Sequence, residues 1–307
     1  MDSRIEGLSR QLTEYSCDLK AGERVLIEYE GRECLPLVRQ LIKDAYRLGG
    51  RPFVLAREDS VLREILMEAD AEQLKLLFDW ELTQMEAMDA YIGIRGNANI
   101  AELADVPTKQ MSLYYKLSQP VVERRVYETK WVILRYPNAS MAQLAGRSQE
   151  GFERFFFDVC TMDYGKMSRA MDALVDLMNR TDRVRIVGAG TDLSFSIKGI
   201  PAVKCDGKMN LPDGEVYTAP VKNSVNGFIR YNACSEMLGF TYENVQFEVK
   251  NGRIVKAEAN DTERINALLD TDEGARFFGE FAIGVNPFVL EPMKDILFDE
   301  KICGSFH

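Results

Sequence analysis

The strongest constraint on the fold is an alternation of strand and helix patterns in the first half of the chain. Residues 24–29 have the apolar centre of a strand, residues 35–48 carry apolar side chains at helical spacing, and residues 51–56 again resemble a strand. Gly49-Gly50 ends the helix just before the next strand. A strand–helix–strand unit with short links is typical of parallel strands, because the crossover helix returns the chain to the same end of the sheet. We therefore predict an α/β amino-terminal domain with a mainly parallel sheet.

The pattern changes near residue 180. Before it, two further strand patterns lie at 89–95 and 130–137. They alternate with helix patterns at 60–68, 71–88, 107–117, 141–144, 148–160 and 164–180. After it, strand patterns dominate, at 183–188, 192–197, 219–221, 227–231, 245–249 and 253–259. Asn251-Gly252 is the residue pair that tight hairpins prefer. We predict an α/β domain at 1–180 and a strand-rich, mostly antiparallel α+β domain at 181–307.

Composition narrows the class of protein. A net charge of -10 and a pI near 4.9 argue against nucleic-acid binding, which needs a basic surface. The six cysteines include no C-x-x-C pair, and the first residues lack the apolar core of a signal peptide. No apolar run approaches the roughly 18 residues that a membrane span requires. We therefore expect a soluble cytoplasmic protein with reduced thiols and neither nucleic-acid nor membrane partners.

Glu215 is the first candidate for a chemical role. Pro212-Asp213-Gly214 has the composition of a turn, which would place Glu215 at the start of a strand beside a bent backbone. That position suits a metal-binding or catalytic carboxylate. The alternative is an exposed glutamate that follows a turn, and this segment taken alone favours the alternative.

Glu280 is the second candidate, because it is the single charge inside an apolar segment that we expect to be mostly buried. An isolated buried carboxylate is costly unless it has a partner, a proton or a metal ion. A salt bridge with Arg276 or Lys301 competes evenly with a functional role. Gly279 and Gly284 would let another group approach the backbone closely.

His307 is the only histidine and the last residue. Two carboxylates and one imidazole form a donor set that suits divalent metal ions. The alternatives are an exposed terminal residue or the remnant of a tag, although Gly-Ser-Phe-His does not match a usual tag junction.

Two other segments are weaker candidates. Gly188-Ala-Gly190 starts like a dinucleotide-binding loop, but Leu193 stands where the third glycine should be, and strand residues follow where a helix should begin. Residues 270–274 have the composition of a cap at a helix start.

Taken together, residues 212–220, 272–287 and 298–307 resemble the thermophilic-type metallo-aminopeptidase family, in which such segments occur in this order and at similar separations. The match extends along the whole chain. The resemblance implies a two-metal exopeptidase that removes amino-terminal residues from short peptides, with zinc or cobalt as its metal. It also implies a homodimer whose active sites face an enclosed cavity.

By position in the resemblance, Glu215, Glu280 and His307 would be metal ligands. Hydrolysis would use water activated by two metal ions, with Glu280 taking the proton of that water.

The family pattern continues past the equivalent of His307 with a tyrosine and a His-x-Asp segment that supplies the remaining ligands. We therefore expect residues 181–307 to hold an incomplete catalytic domain, with metal weakly held or absent and little peptidase activity in these 307 residues alone. The main alternative is a non-catalytic peptide-binding or oligomerising protein with the aminopeptidase fold. A nucleotide-binding α/β protein is a third.

Overall fold

The computed structural model describes residues 2–237 and 240–307. The chain divides into two compact units: the first comprises residues up to 162 together with 207–212, and the second comprises 163–206 and 213–307. The sequence-based boundary near residue 180 lies one helix later than this division.

The described residues form both helices and strands. The helices are α1 (Ser3–Arg10), α2 (Leu35–Arg47), α3 (Asp59–Glu68), α4 (Ala71–Glu86), α5 (Thr108–Glu128), α6 (Ala139–Leu144), α7 (Gln149–Cys160), α8 (Tyr164–Asn179), α9 (Thr262–Leu269) and α10 (Ile296–Asp299), with a π-helical turn at Gln11–Ser16 and a 3-10 turn at Arg32–Cys34. The strands are β1 (Arg24–Glu30), β2 (Arg51–Arg57), β3 (Ala90–Arg95), β4 (Lys130–Arg135), β5 (Arg183–Gly188), β6 (Thr191–Ser196), β7 (Val203–Cys205), β8 (Asn210–Leu211), β9 (Glu215–Thr218), β10 (Asn226–Arg230), β11 (Ser235–Met237), β12 (Phe240–Tyr242), β13 (Gln246–Lys250), β14 (Arg253–Glu258) and β15 (Phe281–Gly284). Among the described residues, no helix combines the length and the apolar character that crossing a membrane requires.

The first unit is built on a five-stranded sheet in the order β2-β1-β3-β4-β8, and every neighbouring pair is parallel. Two of its inner strands, β1 and β3, are nearly continuous runs of buried residues, such as Ala90, Tyr91 and Ile92 in β3. Helices cover the faces of a parallel sheet, so its central strands need apolar side chains on both sides. The predicted α/β half with a parallel sheet is confirmed.

Helix α5 is longer than the sequence indicated. The predicted helix at 107–117 extends to Glu128 and passes through Pro120. A proline inside a helix removes one backbone hydrogen bond, while glutamate and arginine, which follow at 123–125, are good helix formers.

The second unit contains an antiparallel sheet in the order β14-β13-β10-β6-β5 and a three-stranded sheet in the order β15-β9-β7. Asn251 and Gly252 join β13 to β14 with φ of 51° and 83°, which is the conformation of the predicted hairpin turn. Gly190, with φ of 72°, lies in the turn between β5 and β6, so a strand follows it and no helix starts there. The predicted strand-rich antiparallel half is confirmed.

Two local predictions in the second unit were wrong. The strand expected at 219–221 lies instead at Glu215–Thr218. Residues 270–274 follow α9 rather than open a helix, and the carboxylate of Asp272 accepts hydrogen bonds from the N–H groups of Gly274 and Ala275. An aspartate that closes a turn makes the same kind of side-chain-to-backbone bond as a helix cap, so composition alone does not separate them.

A buried group of charges lies on the parallel sheet. The carboxylate of Glu28 accepts a hydrogen bond from the hydroxyl of Tyr91 at 3.0 Å. It also lies 2.9 Å from Nη1 of Arg95 and 3.2 Å from Nη2 of Arg57. Burial would raise the pKa of Glu28, but the charges of Arg95 and Arg57 outweigh burial and lower it. Glu28 is therefore ionised at neutral pH.

We predict that Glu28→Gln lowers the free energy of unfolding by about 3 kcal/mol at pH 7, because it leaves the half-buried guanidinium groups of Arg57 and Arg95 without the buried carboxylate that they share. A carboxyl group with a lowered folded-state pKa stabilises the fold above its unfolded-state pKa of about 4.3, and that contribution is lost as the pH falls through the folded-state pKa. The difference in the free energy of unfolding between variant and parent should therefore become smaller in acid. Urea unfolding at pH 7 and at about pH 3.5 measures it, with the exposed Glu64→Gln as control. An equal difference at both pH values would show that the charge of Glu28 is not what stabilises the fold.

Candidate metal centre

The three residues predicted as ligands lie on neighbouring segments of the second unit. Glu215 opens β9, which pairs antiparallel with β15, so that Gly284 faces Glu215 and Phe281 faces Thr218. Glu280 comes directly before β15. The last residues of the chain run along the other side of β15: the N–H of Ala282 donates to the carbonyl of His307 at 2.9 Å, and the N–H of His307 donates to the carbonyl of Ala282 at 3.2 Å.

This pairing brings the side chains of Glu215, Glu280 and His307 together. Nε2 of His307 lies 3.0 Å from Oε2 of Glu215 and 3.1 Å from Oε1 of Glu280. One donor atom from each residue falls within 4.8 Å of the other two. Side chains alternate between the faces of a strand, so Glu280 points to the same face of β15 as Ala282, the residue that pairs with His307.

The turn before β9 fixes the backbone of Glu215. Gly214 has φ of 129°, and a Cβ atom there would lie 2.8 Å from Cβ of Asn286 and 3.1 Å from Sδ of Met167. Any side chain would therefore have to displace a neighbour. The buried Asn286 donates from Nδ2 to the carbonyl of Asp213 at 2.6 Å. The sharply bent backbone predicted at this point is present.

The burial of the two glutamates is the reverse of what the sequence suggested. The side chain of Glu215 is 6% exposed, whereas that of Glu280 is 45% exposed. Glu280 lies outside the paired part of β15, and the apolar residue after it points to the opposite face, where Phe281 contacts Phe195 with ring centroids 5.0 Å apart. The expectation of a buried Glu280 was wrong because an apolar segment at a strand entrance buries only one of its faces.

Lys301 is the functional side chain that sequence reasoning assigned to the wrong partner. Its side chain is 1% exposed, and its Nζ lies 2.5 Å from Oε1 of Glu215 and 3.1 Å from Oε2 of Glu300. The carboxylate of Asp213 is 3.6 Å away. The other predicted partner of Glu280, Arg276, binds Asp270 instead. Lys301 follows Asp299 and Glu300 and precedes Ile302, close to the apolar residues of 296–298, and this mixed segment was only a weak signal of a buried cation.

Electrostatics keep this cluster charged. Burial would lower the pKa of Lys301, but Asp213, Glu215 and Glu300 outweigh burial and raise it. Burial would raise the pKa of Glu215, but the hydrogen bond with His307 and the charge of Lys301 lower it. Burial would likewise lower the pKa of His307, but its bonds to Glu215 and Glu280 raise it to about 9.

The residues fit a divalent metal ion. Oε2 of Glu215 is buried and lies 3.0 Å from Nε2 of His307, whereas Nδ1 of His307 is buried without a hydrogen-bond partner among the residues that the structure describes. Oε1 of Glu215 is held by Lys301, which leaves Oε2 directed at Nε2 of His307 and at Glu280. An ion bound by Oε2 of Glu215, Oε1 of Glu280 and Nε2 of His307 would satisfy that buried oxygen. Carboxylate and imidazole donors suit zinc and similar divalent ions.

A second cluster, formed by Cys205, Asp213 and Glu215, also has donor atoms within 4.8 Å of one another. The ammonium group of Lys301 already lies against both carboxylates, at 3.6 Å and 2.5 Å, and would repel another cation. Burial also raises the pKa of the Cys205 thiol, which disfavours the thiolate that a metal needs. This cluster therefore suits a lysine better than a metal ion.

Of the two glycines expected to allow close approach, only Gly284 does so. A Cβ atom on Gly284 would collide with the carbonyl oxygens of Ile302 and Glu300, whereas Gly279 has open space around it. Gly284 therefore lets the segment that carries Lys301 cross directly over β15.

Comparison with known proteins identifies a family and several relatives of this chain. Residues 1–307 match the family described as thermophilic metalloprotease (M29). Aminopeptidase T of Thermus thermophilus is 27% identical, across 98% of this chain and 83% of the relative. Aminopeptidase 2 of Geobacillus stearothermophilus is 24% identical, across 88% of this chain and 74% of the relative.

Solved structures show the same fold. Wild-type AmpT from Thermus thermophilus superposes with a TM-score of 0.84 at 24% identity, covering 99% of this chain and 84% of that chain. The 2,5-dihydroxypyridine dioxygenase of Pseudomonas putida KT2440 gives a TM-score of 0.56 at 11% identity, covering 97% and 83%. Because proteins with such different names share the fold, the fold alone does not identify a reaction. The match over all 307 residues does identify the relationship: the chain belongs to the thermophilic metalloprotease (M29) family, as the three ordered segments predicted.

Proposed function

We propose that the protein is a metal-dependent aminopeptidase that hydrolyses amino-terminal residues from short peptides, with zinc or cobalt at its centre. The observation that carries this proposal is the convergence of Glu215, Glu280 and His307, whose donor atoms lie within 4.8 Å of one another. Membership of a metalloprotease family and relatives named as aminopeptidases support the same activity.

The three side chains would have different tasks. Glu215, His307 and Glu280 would hold the metal, which when bound polarises a scissile carbonyl and acidifies water. Glu280 is 45% exposed, so it is the ligand that a water molecule and a substrate reach from solvent, and it would take the proton of the attacking water. The excess of carboxylates over cations at the centre would attract the free amino group of a peptide, which favours cleavage at an amino terminus.

The number of donor atoms limits how many metal ions these three residues can bind. Glu215, Glu280 and His307 provide one donor atom each, and a centre that holds two ions shares more ligands than three. We therefore propose that these three residues bind one ion, and that a second ion and full activity need further donors. A centre with these three donors alone is expected to hold a single ion.

We predict that zinc binds with about one equivalent and that Glu215→Gln or His307→Ala weakens it by at least about 10-fold, because each removes a ligand. Competition with a fluorescent zinc chelator measures the affinity, and elemental analysis measures the stoichiometry. Glu273→Gln, which changes an exposed carboxylate in the same unit, is the control. Unchanged affinity in both ligand variants would place the metal elsewhere.

We predict that Glu280→Gln lowers the rate of leucine-p-nitroanilide hydrolysis by at least about 100-fold, because it removes the group that accepts the proton. The assay compares metal-loaded and EDTA-treated protein, so that hydrolysis without metal is subtracted. The main competing function, a peptide-binding protein without catalysis, predicts calorimetric binding of short peptides and no hydrolysis under any metal condition.

Lys301 is a positioning residue in this account, because it touches Glu215 and not the reacting atoms. We predict that Lys301→Met lowers the free energy of unfolding by about 3 kcal/mol and weakens zinc binding by about 10- to 100-fold, since buried carboxylates lose their cation and Glu215 loses its fixed orientation. Urea unfolding and chelator competition measure the two effects.

The control is Lys198→Met, at a lysine that is 77% exposed. Lys301→Arg should recover part of the zinc affinity if charge at this position orients Glu215. Unchanged zinc affinity in Lys301→Met would show that Lys301 stabilises the fold but does not orient Glu215 for metal binding.

The homodimer and the cytoplasmic location stay predictions. Light scattering coupled to size-exclusion chromatography measures the oligomeric state.

A further inference from the structure

The first unit contains a cavity of about 480 Å³ that the metal centre does not use. One wall is the carboxyl end of the parallel sheet, where Glu30, Arg57 and Arg95 are the last residues of β1, β2 and β3. Helices α3, α4 and α5 form the other walls with apolar side chains such as Ile65 and Phe78. The volume is in the range of sites that bind small molecules.

The position of the cavity in the sheet is where ligands bind in folds of this type. The sheet order β2-β1-β3-β4 means that the chain first moves outward from β1 to β2 and then crosses back to β3. The strand order reverses between β1 and β3, and open parallel sheets bind ligands at the carboxyl ends of the strands at such a point.

Helix α5 covers the cavity without filling it. None of its 21 residues is buried, although a helix of that length usually buries an apolar stripe. Tyr114, Ser118, Val121 and Arg125 follow one another at spacings of three or four residues and all line the cavity. This row of α5 therefore lines the cavity, and at Val121 it also packs against the buried cluster that contains Leu26 and Tyr91 of the sheet.

Two of the three arginines in the wall are neutralised by carboxylates of the chain. Arg57 lies 3.2 Å from Glu28 and 2.7 Å from Glu81. Arg95 lies 2.9 Å from Glu28 and 3.2 Å from Glu30.

Arg125 differs from the other two. No carboxylate within the described ranges pairs with it, and its Nε is buried without a hydrogen-bond acceptor. Its guanidinium lies over the ring of Tyr91 at 5.1 Å, which orients it without neutralising it. Burial raises the pKa of Tyr91 to about 12, so the neighbouring hydroxyl is neutral. A buried N–H without an acceptor is costly, and a carboxylate is the acceptor that a guanidinium binds best.

Acidic residues also line this cavity. Glu58 and Asp59 begin α3, where Glu58 accepts from the hydroxyl of Ser60 and Asp59 accepts from the side-chain amide of Asn97. Neither has an arginine or lysine partner among the described residues. The cavity thus combines an unneutralised guanidinium, an apolar body and free carboxylates.

We propose that this cavity binds a small carboxylate with an apolar body, of the size and class of an apolar amino acid, and that Arg125 binds its carboxylate. An ammonium group on the ligand would face the acidic residues at Glu58 and Asp59. The site does not depend on the metal centre. If the proposed function holds, the ligand belongs to the class of molecule that the enzyme releases.

The test is isothermal titration of the 307-residue chain with L-leucine, 4-methylpentanoate and leucinamide. The proposal predicts that both carboxylates bind with millimolar affinity or tighter and that leucinamide, which lacks a carboxylate, binds at least about 10-fold more weakly. Tighter binding of L-leucine than of 4-methylpentanoate would assign the ammonium contact. Binding is measured with and without zinc and should be the same, which separates it from ligation at the metal centre.

Arg125→Gln should weaken binding of 4-methylpentanoate by at least about 10-fold, whereas Arg124→Gln should not. Arg124 is the matched control, because it is the adjacent arginine on α5, pairs with Glu128 and does not line the cavity. Val121→Phe should also abolish binding by filling the cavity. Should Arg125→Gln fail to fold, methyl NMR of the parent protein decides, since the ligand should shift the methyl signals of Leu62, Ile65 and Val121. Absence of binding by either carboxylate, or binding that Arg125→Gln and Val121→Phe leave unchanged, would overturn the proposal.

Discussion

The buried ion pair between Lys301 and Glu215 is the interaction on which the proposed metal centre depends. Burial of a carboxylate that is 6% exposed raises its pKa, but the hydrogen bond with His307 and the charge of Lys301, whose Nζ lies 2.5 Å away, lower the pKa of Glu215 and keep it ionised. The same bond occupies one oxygen of Glu215 and leaves the other directed toward His307 and Glu280. Gly284 makes this arrangement sterically feasible, because only glycine lets the 300–302 backbone cross β15 so closely. The chemistry of the site thus rests on one lysine and one glycine that bind no metal.

Much of the architecture could be read from the sequence. The strand–helix–strand pattern at 24–56 predicted the parallel sheet, and Asn251-Gly252 predicted the hairpin between β13 and β14. Both signals are local, since periodicity and turn chemistry act over a few residues. Pairing between distant segments is different. Nothing near Glu215 in the sequence shows that β9 pairs with β15, or that residues 304–307 run along its other edge.

The same distinction explains the errors at the site. Glu215, Glu280 and His307 were proposed as ligands from a family resemblance. The structure places Nε2 of His307 3.0 Å from Oε2 of Glu215 and 3.1 Å from Oε1 of Glu280. Burial was predicted from neighbouring residues, and it came out reversed for both glutamates. Burial depends on which face of a strand a residue occupies and on what covers that face. For Glu215 the cover includes Lys301, which lies 86 residues away in the sequence.

The most direct test of the metal centre is X-ray absorption at the zinc edge of protein loaded with one equivalent of zinc. Ligation by Glu215, Glu280 and His307 predicts a first shell of oxygen and nitrogen at about 2.0–2.2 Å, with the outer-shell signature of one imidazole. A sulfur scatterer at about 2.3 Å would place the ion at Cys205. That result, or a spectrum without an imidazole contribution, would contradict the assignment.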